Sequence, residues 1–106
     1  MRWVRSRAVE PDWIGAGIRL NGLAPGNTDT AMLAERFTDP ALADGAAATV
    51  AAVPAGRTFA PDEVAAVATF LVGPDAAPFV GSVVICDGGY DALLNPQSPG
   101  PLLNAP

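Results

Sequence analysis

The sequence predicts an α/β fold in which a strand, a helical crossover and a second strand follow one another along the chain. Residues 17–24 begin with alternating apolar and polar side chains, the period of a strand with two unlike faces. Residues 61–72 carry apolar side chains at helical spacing. Residues 82–86, Ser-Val-Val-Ile-Cys, are apolar enough for a parallel strand buried on both faces. We therefore expect two parallel strands joined by a right-handed crossover, which is only part of a complete sheet.

A turn follows the first strand and leads into a helix. Pro25 and Gly26 end the extended run, and the candidate caps for a helix that begins near Ala31 are Thr28, Asp29 and Thr30. A strand end followed by a helix start collects backbone N–H groups, which can bind a phosphate or another anion. A purely structural role, as a turn and a cap, explains the same residues equally well.

Residues 29–53 form two short helical stretches separated by Pro40, and their small side chains predict a mobile covering flap. Met32, Leu33 and Phe37 are its candidates for lining an apolar pocket. Packing of these three side chains against the sheet is the simpler explanation.

The helix at residues 61–72 has the clearest signals in the chain. It begins with Pro-Asp-Glu, and proline suits the first helical position while the acids suit the positive helix end. Ala60 provides no side-chain cap, and Gly73 marks the expected end. Residues 95–106 are rich in proline, and we expect an extended tail there.

The first 13 residues suit a helix but offer no residue to cap its start. Three arginines lie in the opening turns, Arg2, Arg5 and Arg7, where the helix dipole favours acids. We therefore expect that the chain starts inside a helix of a longer parent protein.

Composition excludes several classes of function. The chain contains no histidine and no lysine, and Tyr90 is the only tyrosine, so most general-base and Schiff-base chemistry is ruled out. The net charge of −5 argues against nucleic acid as a partner. No apolar run is long enough for a membrane span, and we expect a cytoplasmic protein. Cys86 is the single cysteine, so we expect a buried, inert thiol and no metal site.

Three segments together resemble the C-terminal part of the short-chain dehydrogenase/reductases. The resemblance covers roughly residues 2–94, and its motifs are Gly-Ile-Arg-Leu-Asn at 17–21 with Pro25, Gly26 and Thr30, Gly-Arg at 56–57 with Pro-Asp-Glu-Val-Ala at 61–65, and Phe-Val-Gly at 79–81 with Asp-Gly-Gly at 87–89. Trp3, Trp13 and residues 91–94 look like the branch that contains bacterial 3α-hydroxysteroid and coniferyl-alcohol dehydrogenases.

The resemblance implies an incomplete Rossmann-like doubly wound fold over residues 1–94. It also implies a parent enzyme that transfers hydride between NAD or NADP and a small alcohol, ketone or aldehyde. In that parent, Pro25, Gly26 and Thr28 contact the nicotinamide, and Thr30 contacts its phosphate or carboxamide side. Residues 29–53 correspond to the substrate loop of the family. Helix 61–72 and strand 82–86 commonly form a subunit interface in the family, so a homo-oligomer is implied.

Several family motifs have no counterpart in this chain. The glycine-rich dinucleotide turn, the ribose selector, the catalytic serine and the Tyr-x-x-x-Lys pair are missing, and Thr28 stands where isoleucine or valine is usual. The loop at 79–81 is one residue shorter than the usual spacing. We therefore predict no catalytic residue, no activity of this chain alone, and too small a part of the site to predict cofactor binding by itself. NAD and NADP remain open, and the alternative function is a non-catalytic interaction or oligomerisation module.

Overall fold

The structure is a computed structural model that describes residues 1–97. These residues form five α-helices and two strands, in the order α1 (Arg2–Ala8), β1 (Gly22–Pro25), α2 (Ala31–Thr38), α3 (Ala43–Ala51), α4 (Pro61–Val72), β2 (Val83–Cys86) and α5 (Tyr90–Leu94). Short 3-10 turns lie at Ile14–Ala16 and Pro74–Ala76. Residues 98–106, most of the predicted tail, lie outside the described residues.

The two strands pair in parallel, as the sequence predicts. Gly22 lies opposite Val83, and Pro25 lies opposite Cys86. Helix α4 is the last helix of the crossover that joins them. The α/β strand–helix–strand architecture is therefore confirmed.

The first strand begins at Gly22 and not at residue 17. Gly17 adopts a left-handed backbone conformation with φ of 79° and ends the 3-10 turn at Ile14–Ala16. The alternation of residues 18–21 has another cause, because Arg19 and Asn21 use their side chains to bind backbone groups near the end of α4 and before β2. Arg19 and Asn21 are polar because they make tertiary hydrogen bonds, and not because they lie on the exposed face of a strand.

Helix α4 begins and ends where its signals place it. The Glu63 carboxylate accepts a hydrogen bond of 2.8 Å from the backbone N–H of Ala60, which is the one bond of a capping box that alanine still allows. At the other end, the helix stops at Gly73, whose backbone is extended with ψ of 171°.

The second strand is less buried than predicted. Ile85 is 40% exposed and the Cys86 thiol is only half-buried, so the expectations of a strand buried on both faces and of a buried thiol are wrong. Successive side chains of a strand face opposite sides. Cys86 faces the helix α4 side, where it lines a groove with Val64 and Val67. Ile85 faces the other side, which the described residues cover incompletely.

Helix α5 was not predicted, because the sequence at 87–90 indicates only a turn. The Asp87 carboxylate accepts hydrogen bonds from the backbone N–H groups of Gly89 at 3.0 Å and Asp91 at 2.7 Å. One side chain thereby fixes the turn and caps the first turn of the helix.

The core is small, as a composition rich in alanine implies. Among residues 1–97, the buried apolar side chains are Ala8, Leu33, Ala46, Val53, Leu71 and Ala76. No aromatic ring belongs to this group. None of the helices in this part of the chain has both the length and the apolar character that a membrane crossing requires.

Candidate functional site

Three connecting segments meet at the carboxyl end of the strand pair. Residues 26–30 follow β1, residues 87–89 follow β2, and residues 53–59 precede α4. Backbone hydrogen bonds join them: Gly26 N–H donates to the Cys86 carbonyl at 2.9 Å, and Ala55 N–H donates to the Gly88 carbonyl at 3.0 Å. Ligands of open α/β sheets bind at this edge. The carboxyl end of the strand pair is therefore the candidate ligand-binding site.

Gly26 is required by a close approach of two backbones. A Cβ atom at this position would lie 2.7 Å from the Asp87 Cα atom and 2.8 Å from its Cβ atom. Because backbone atoms cannot move aside as a flexible side chain can, a larger residue would push the two connecting segments apart. Gly26 thus allows the segment after β1 to lie directly against the turn after β2.

Thr28 pairs with Phe59 in an isolated parallel bridge. The Phe59 N–H donates to the Asn27 carbonyl at 3.1 Å, and the Asp29 N–H donates to the Phe59 carbonyl at 2.7 Å. In a parallel bridge, the residue between the two bonded neighbours directs its own N–H and C=O away from the partner segment. The backbone donor and acceptor of Thr28 therefore face the side opposite Phe59.

The hydroxyl groups of the two threonines are used locally. The Thr28 hydroxyl donates to the Gly26 carbonyl at 3.2 Å, which tightens the turn. The Thr30 hydroxyl accepts from the backbone N–H of Leu33 at 3.4 Å and so caps α2, the role that the simpler interpretation gives it. Its hydroxyl proton stays available for a second partner. Pro25 is the last residue of β1 and is exposed.

The predicted pocket residues of the covering flap do not share one environment. Leu33 is buried at 8% exposure, whereas Met32 is 76% and Phe37 is 41% exposed. All three lie on α2, which packs mainly against α3. Packing accounts for Leu33, while Met32 and Phe37 present apolar surface to the outside.

Two grooves flank α4 at opposite ends of the strands. One of about 330 Å³ lies at the carboxyl end and is almost entirely apolar, with Phe59, Val64, Val67 and Cys86 among its lining residues. The other, of about 460 Å³, lies at the amino end between residues 17–23 and the last turns of α4. Neither is lined by a residue that the sequence predicts to bind cofactor or substrate, and Phe59 is a site residue that sequence reasoning missed.

An ion pair supports the segment before α4. The Arg57 guanidinium donates to both Glu63 carboxylate oxygens, at 2.9 and 2.7 Å. These hydrogen bonds, together with the bond from the Ala60 N–H, lower the pKa of Glu63 to about 2. The same hydrogen bonds raise the pKa of Arg57. The Arg57 guanidinium carbon lies 4.4 Å from the centroid of the Phe59 ring, within the range of a cation–π contact.

A family model described as enoyl-(acyl carrier protein) reductase matches residues 2–91 of the chain. The chain belongs to the short-chain dehydrogenase/reductase family. This confirms the resemblance carried by its three motifs. The match to this dehydrogenase/reductase family ends within α5, the helix that the sequence did not predict.

Individual relatives agree with this assignment. The "3-alpha-hydroxysteroid dehydrogenase/carbonyl reductase" of Comamonas testosteroni is 41% identical over 93 residues, which are 88% of this chain and 35% of the relative. The "Galactitol 2-dehydrogenase (L-tagatose-forming)" of Cereibacter sphaeroides is 38% identical over 80% of this chain and 32% of its own length. The chain thus spans about a third of the length of these curated dehydrogenase relatives.

A solved structure agrees in fold. The 3-alpha-hydroxysteroid dehydrogenase from Pseudomonas sp. B-0831, complexed with NADH, matches with a TM-score of 0.81 and 39% identity. The match covers 92% of this chain and 37% of that one. The strand pair and its helices are therefore part of a Rossmann-like fold, and the incomplete doubly wound fold that the resemblance implies is confirmed.

Proposed function

We propose that this chain is the C-terminal part of an NAD(P)-dependent oxidoreductase that interconverts an alcohol and a ketone or aldehyde by hydride transfer. Its own contribution is the loop on the nicotinamide side, residues 25–30, and the substrate cover, residues 29–53. The observation that carries the proposal is the parallel bridge between Thr28 and Phe59, which leaves the Thr28 N–H and C=O directed away from the chain's own backbone.

A carboxamide is the natural complement of such a backbone pair. The nicotinamide carboxamide has one carbonyl acceptor and an amino donor, and Thr28 offers one donor and one acceptor in return. This pairing uses backbone atoms only, so the presence of threonine instead of isoleucine or valine does not prevent it. When bound, NAD(P) supplies the hydride acceptor or donor. Pro25 and Gly26 hold the loop against β2 beside it.

Thr30 is suited to a second polar contact. Its hydroxyl oxygen accepts from Leu33 N–H, which leaves the hydroxyl proton to donate to the carboxamide side or to a phosphate oxygen. The residue precedes α2, whose amino end carries partial positive charge. In our proposal Met32 and Phe37, exposed on this helix, provide apolar contacts to the alcohol or ketone, and Leu33 supports them from within.

The chain by itself is proposed to be inactive. Proton exchange with the alcohol oxygen needs an acid–base group, and this chain has no histidine or lysine and places its one tyrosine, Tyr90, in α5. The serine, tyrosine and lysine of the family belong in this proposal to another part of the enzyme.

A chimera tests the proposal directly. Residues 2–91 of this chain replace the matching segment of the Comamonas testosteroni relative, and carbonyl reduction is assayed with NADH and with NADPH. We expect turnover in the chimera and none with the purified 106-residue chain. Thr28→Pro, which removes the N–H, should lower kcat/KM about tenfold, the order of one lost hydrogen bond in a dry site. Thr28→Val is the matched control, because it keeps the backbone donor and should stay active. A Thr28→Pro chimera with an unchanged kcat/KM would sink the proposal.

A second candidate function is an interaction or oligomerisation module through α4 and β2. It is favoured by apolar side chains that these two elements leave exposed, with Phe70 at 45%, Val72 at 82% and Ile85 at 40%. We propose a second copy of the chain as the partner. Sedimentation over a range of concentrations should show self-association that Val72→Glu weakens. Leu42→Glu, at an exposed apolar residue outside this surface, should leave it unchanged.

A further inference from the structure

A single residue, Phe59, holds the loop that contains Thr28 at both sides of that threonine. Its N–H binds the residue before Thr28, and its carbonyl binds the residue after it. The only other backbone hydrogen bond from residues 26–29 to a distant segment of the described chain is the one from Gly26 N–H to the Cys86 carbonyl. Gly26 thus fixes where the loop leaves the sheet, and Phe59 fixes the direction of the next three residues.

The ring of Phe59 is itself fixed from two directions. Gly88 lies so close that a Cβ atom there would be 2.8 Å from one ring carbon and 2.9 Å from another. The Arg57 guanidinium lies 4.4 Å from the ring centroid. Glu63 holds that guanidinium through two hydrogen bonds. The ring therefore lies between the turn after β2 and the Arg57 guanidinium that Glu63 holds.

We infer that Phe59 is a positioning residue for the nicotinamide-side loop, acting through the two hydrogen bonds that direct the Thr28 N–H and C=O outward. The inference rests on the proposed function of that loop. A loop that is already held in its binding conformation loses less conformational freedom when the ligand arrives, so affinity is gained without a contact from Phe59 to the ligand.

Hydrogen exchange of two amides in the same loop tests the inference on the 106-residue chain. The Asp29 N–H is protected by the Phe59 carbonyl, and the Gly26 N–H is protected by the Cys86 carbonyl, so the second amide is an internal control. In Phe59→Ala, we expect Asp29 to exchange about tenfold faster, while Gly26 keeps its rate. Phe59→Tyr keeps the ring and should restore protection. Phe70→Ala removes another half-exposed phenylalanine and should change neither amide.

Three results would overturn the inference. Equal acceleration of Asp29 and Gly26 in Phe59→Ala would mean that the ring supports the whole chain and not the loop. Unchanged exchange of Asp29 would mean that the ring is irrelevant to the loop. Unprotected amides at both positions in the unsubstituted chain would mean that the bridge does not persist in solution.

The chimera separates this inference from the proposed function. Suppose that Phe59→Ala selectively accelerates Asp29 exchange while the Thr28→Pro chimera is fully active. The role of Phe59 in positioning the loop would then stand, and the proposed contact between Thr28 and the nicotinamide would be refuted. Where both stand, Phe59→Ala in the chimera should raise KM for the dinucleotide about tenfold, with kcat changed much less. Equal losses in kcat and in kcat/KM, with KM unchanged, would overturn the positioning role.

Discussion

At the amino end of the two strands, polar side chains hold the chain together, whereas at the carboxyl end the backbone does so itself. The Arg19 guanidinium donates to three carbonyls at the end of α4 and in the turn after it: Leu71 at 3.1 Å, Gly73 at 3.0 Å and Ala76 at 2.6 Å. Asn21 adds two more bonds just before β2. A positive charge there also complements the negative end of the helix dipole.

At the carboxyl end, no side-chain hydrogen bond of the described residues links the three segments, because the Asp87 carboxylate binds only the N–H groups of Gly89 and Asp91 that follow it along the chain. Gly26 N–H binds the Cys86 carbonyl, Asp29 and Asn27 bind the backbone of Phe59, and the missing side chain of Gly26 lets two segments touch. In our proposal, the Thr28 N–H and C=O that this arrangement directs outward bind a ligand. The two ends should therefore be destabilised by different substitutions: the amino end by loss of a polar side chain, and the carboxyl end by a larger side chain at Gly26.

The largest expected effect tests the carboxyl end. Gly26→Ala places a Cβ atom 2.7 Å from the Asp87 Cα atom, so the free energy of unfolding should fall by about 3 kcal/mol, the upper range for overpacking. Gly45→Ala is the matched control, because a Cβ atom there meets nothing within 4 Å and the residue lies inside α3. The control should gain up to about 1 kcal/mol. Urea denaturation gives both values, and equal stability of the two variants would show that the close approach at Gly26 does not require glycine.

The next effect tests the amino end. Arg19→Met keeps most of the apolar stem and removes three hydrogen bonds to carbonyls, so the free energy of unfolding should fall by about 2 kcal/mol. Arg36→Met removes an exposed arginine and should cost less than about 0.5 kcal/mol. The exchange rate of the Asp29 amide, relative to that of Gly26, should not change. A selective change there would show that the two ends are coupled.

Features that depend on neighbouring residues could be predicted from the sequence. Helix α4 spans Pro61–Val72 as predicted, because its start and stop signals and its apolar spacing are all local. The parallel strand pair followed from the order of elements. The cap of α2 by Thr30 was among the interpretations, since a threonine before a helix start is a local signal.

Features that depend on distant partners were missed. The start of β1 was placed too early because Arg19 and Asn21 owe their positions to carbonyls more than 50 residues away, with separations of 52 to 58 residues. The role of Phe59 requires its bridge to Thr28, and no pattern around residue 59 indicates that pairing. Helix α5 was missed because two glycines separate its first residues from the carboxylate of Asp87 that caps it.

Asn21 contributes a smaller effect at the amino end. Its side-chain amide donates to the Phe79 carbonyl at 2.8 Å, and its oxygen accepts from Ser82 N–H at 3.0 Å. Asn21→Ala should lower the free energy of unfolding by about 1 kcal/mol, since each bond is neutral and partly exposed. Asn27→Ala, on the loop at the other end, should leave global stability unchanged, because only the backbone carbonyl of that residue is used. A lower denaturation midpoint for Asn27→Ala than for Asn21→Ala would contradict the view that side chains hold the amino end and the backbone holds the carboxyl end.

The smallest effect concerns the exposed ion pair between Arg57 and Glu63 at the carboxyl end. Its two side chains are 55% and 44% exposed, so solvent screens the attraction and its contribution to stability is slight. The folded-state pKa of Glu63 is lowered from 4.5 to about 2, so its contribution is present above the ordinary value and is lost as pH falls from about 4.5 toward 2. The amide chemical shift of Ala60, which donates to this carboxylate, should therefore titrate near pH 2.

Glu63→Gln should abolish that titration, because the amide carries no charge at any of these pH values. Asp62→Asn is the matched control one residue earlier on α4, and it should leave the Ala60 titration in place. Glu63→Gln also removes the charge that holds Arg57. At the same pH, the Asp29 amide of this variant should exchange slightly faster than that of the unsubstituted chain, by a smaller factor than in Phe59→Ala. A titration of Ala60 near the ordinary pKa of Glu63 would show that Arg57 does not hold this carboxylate.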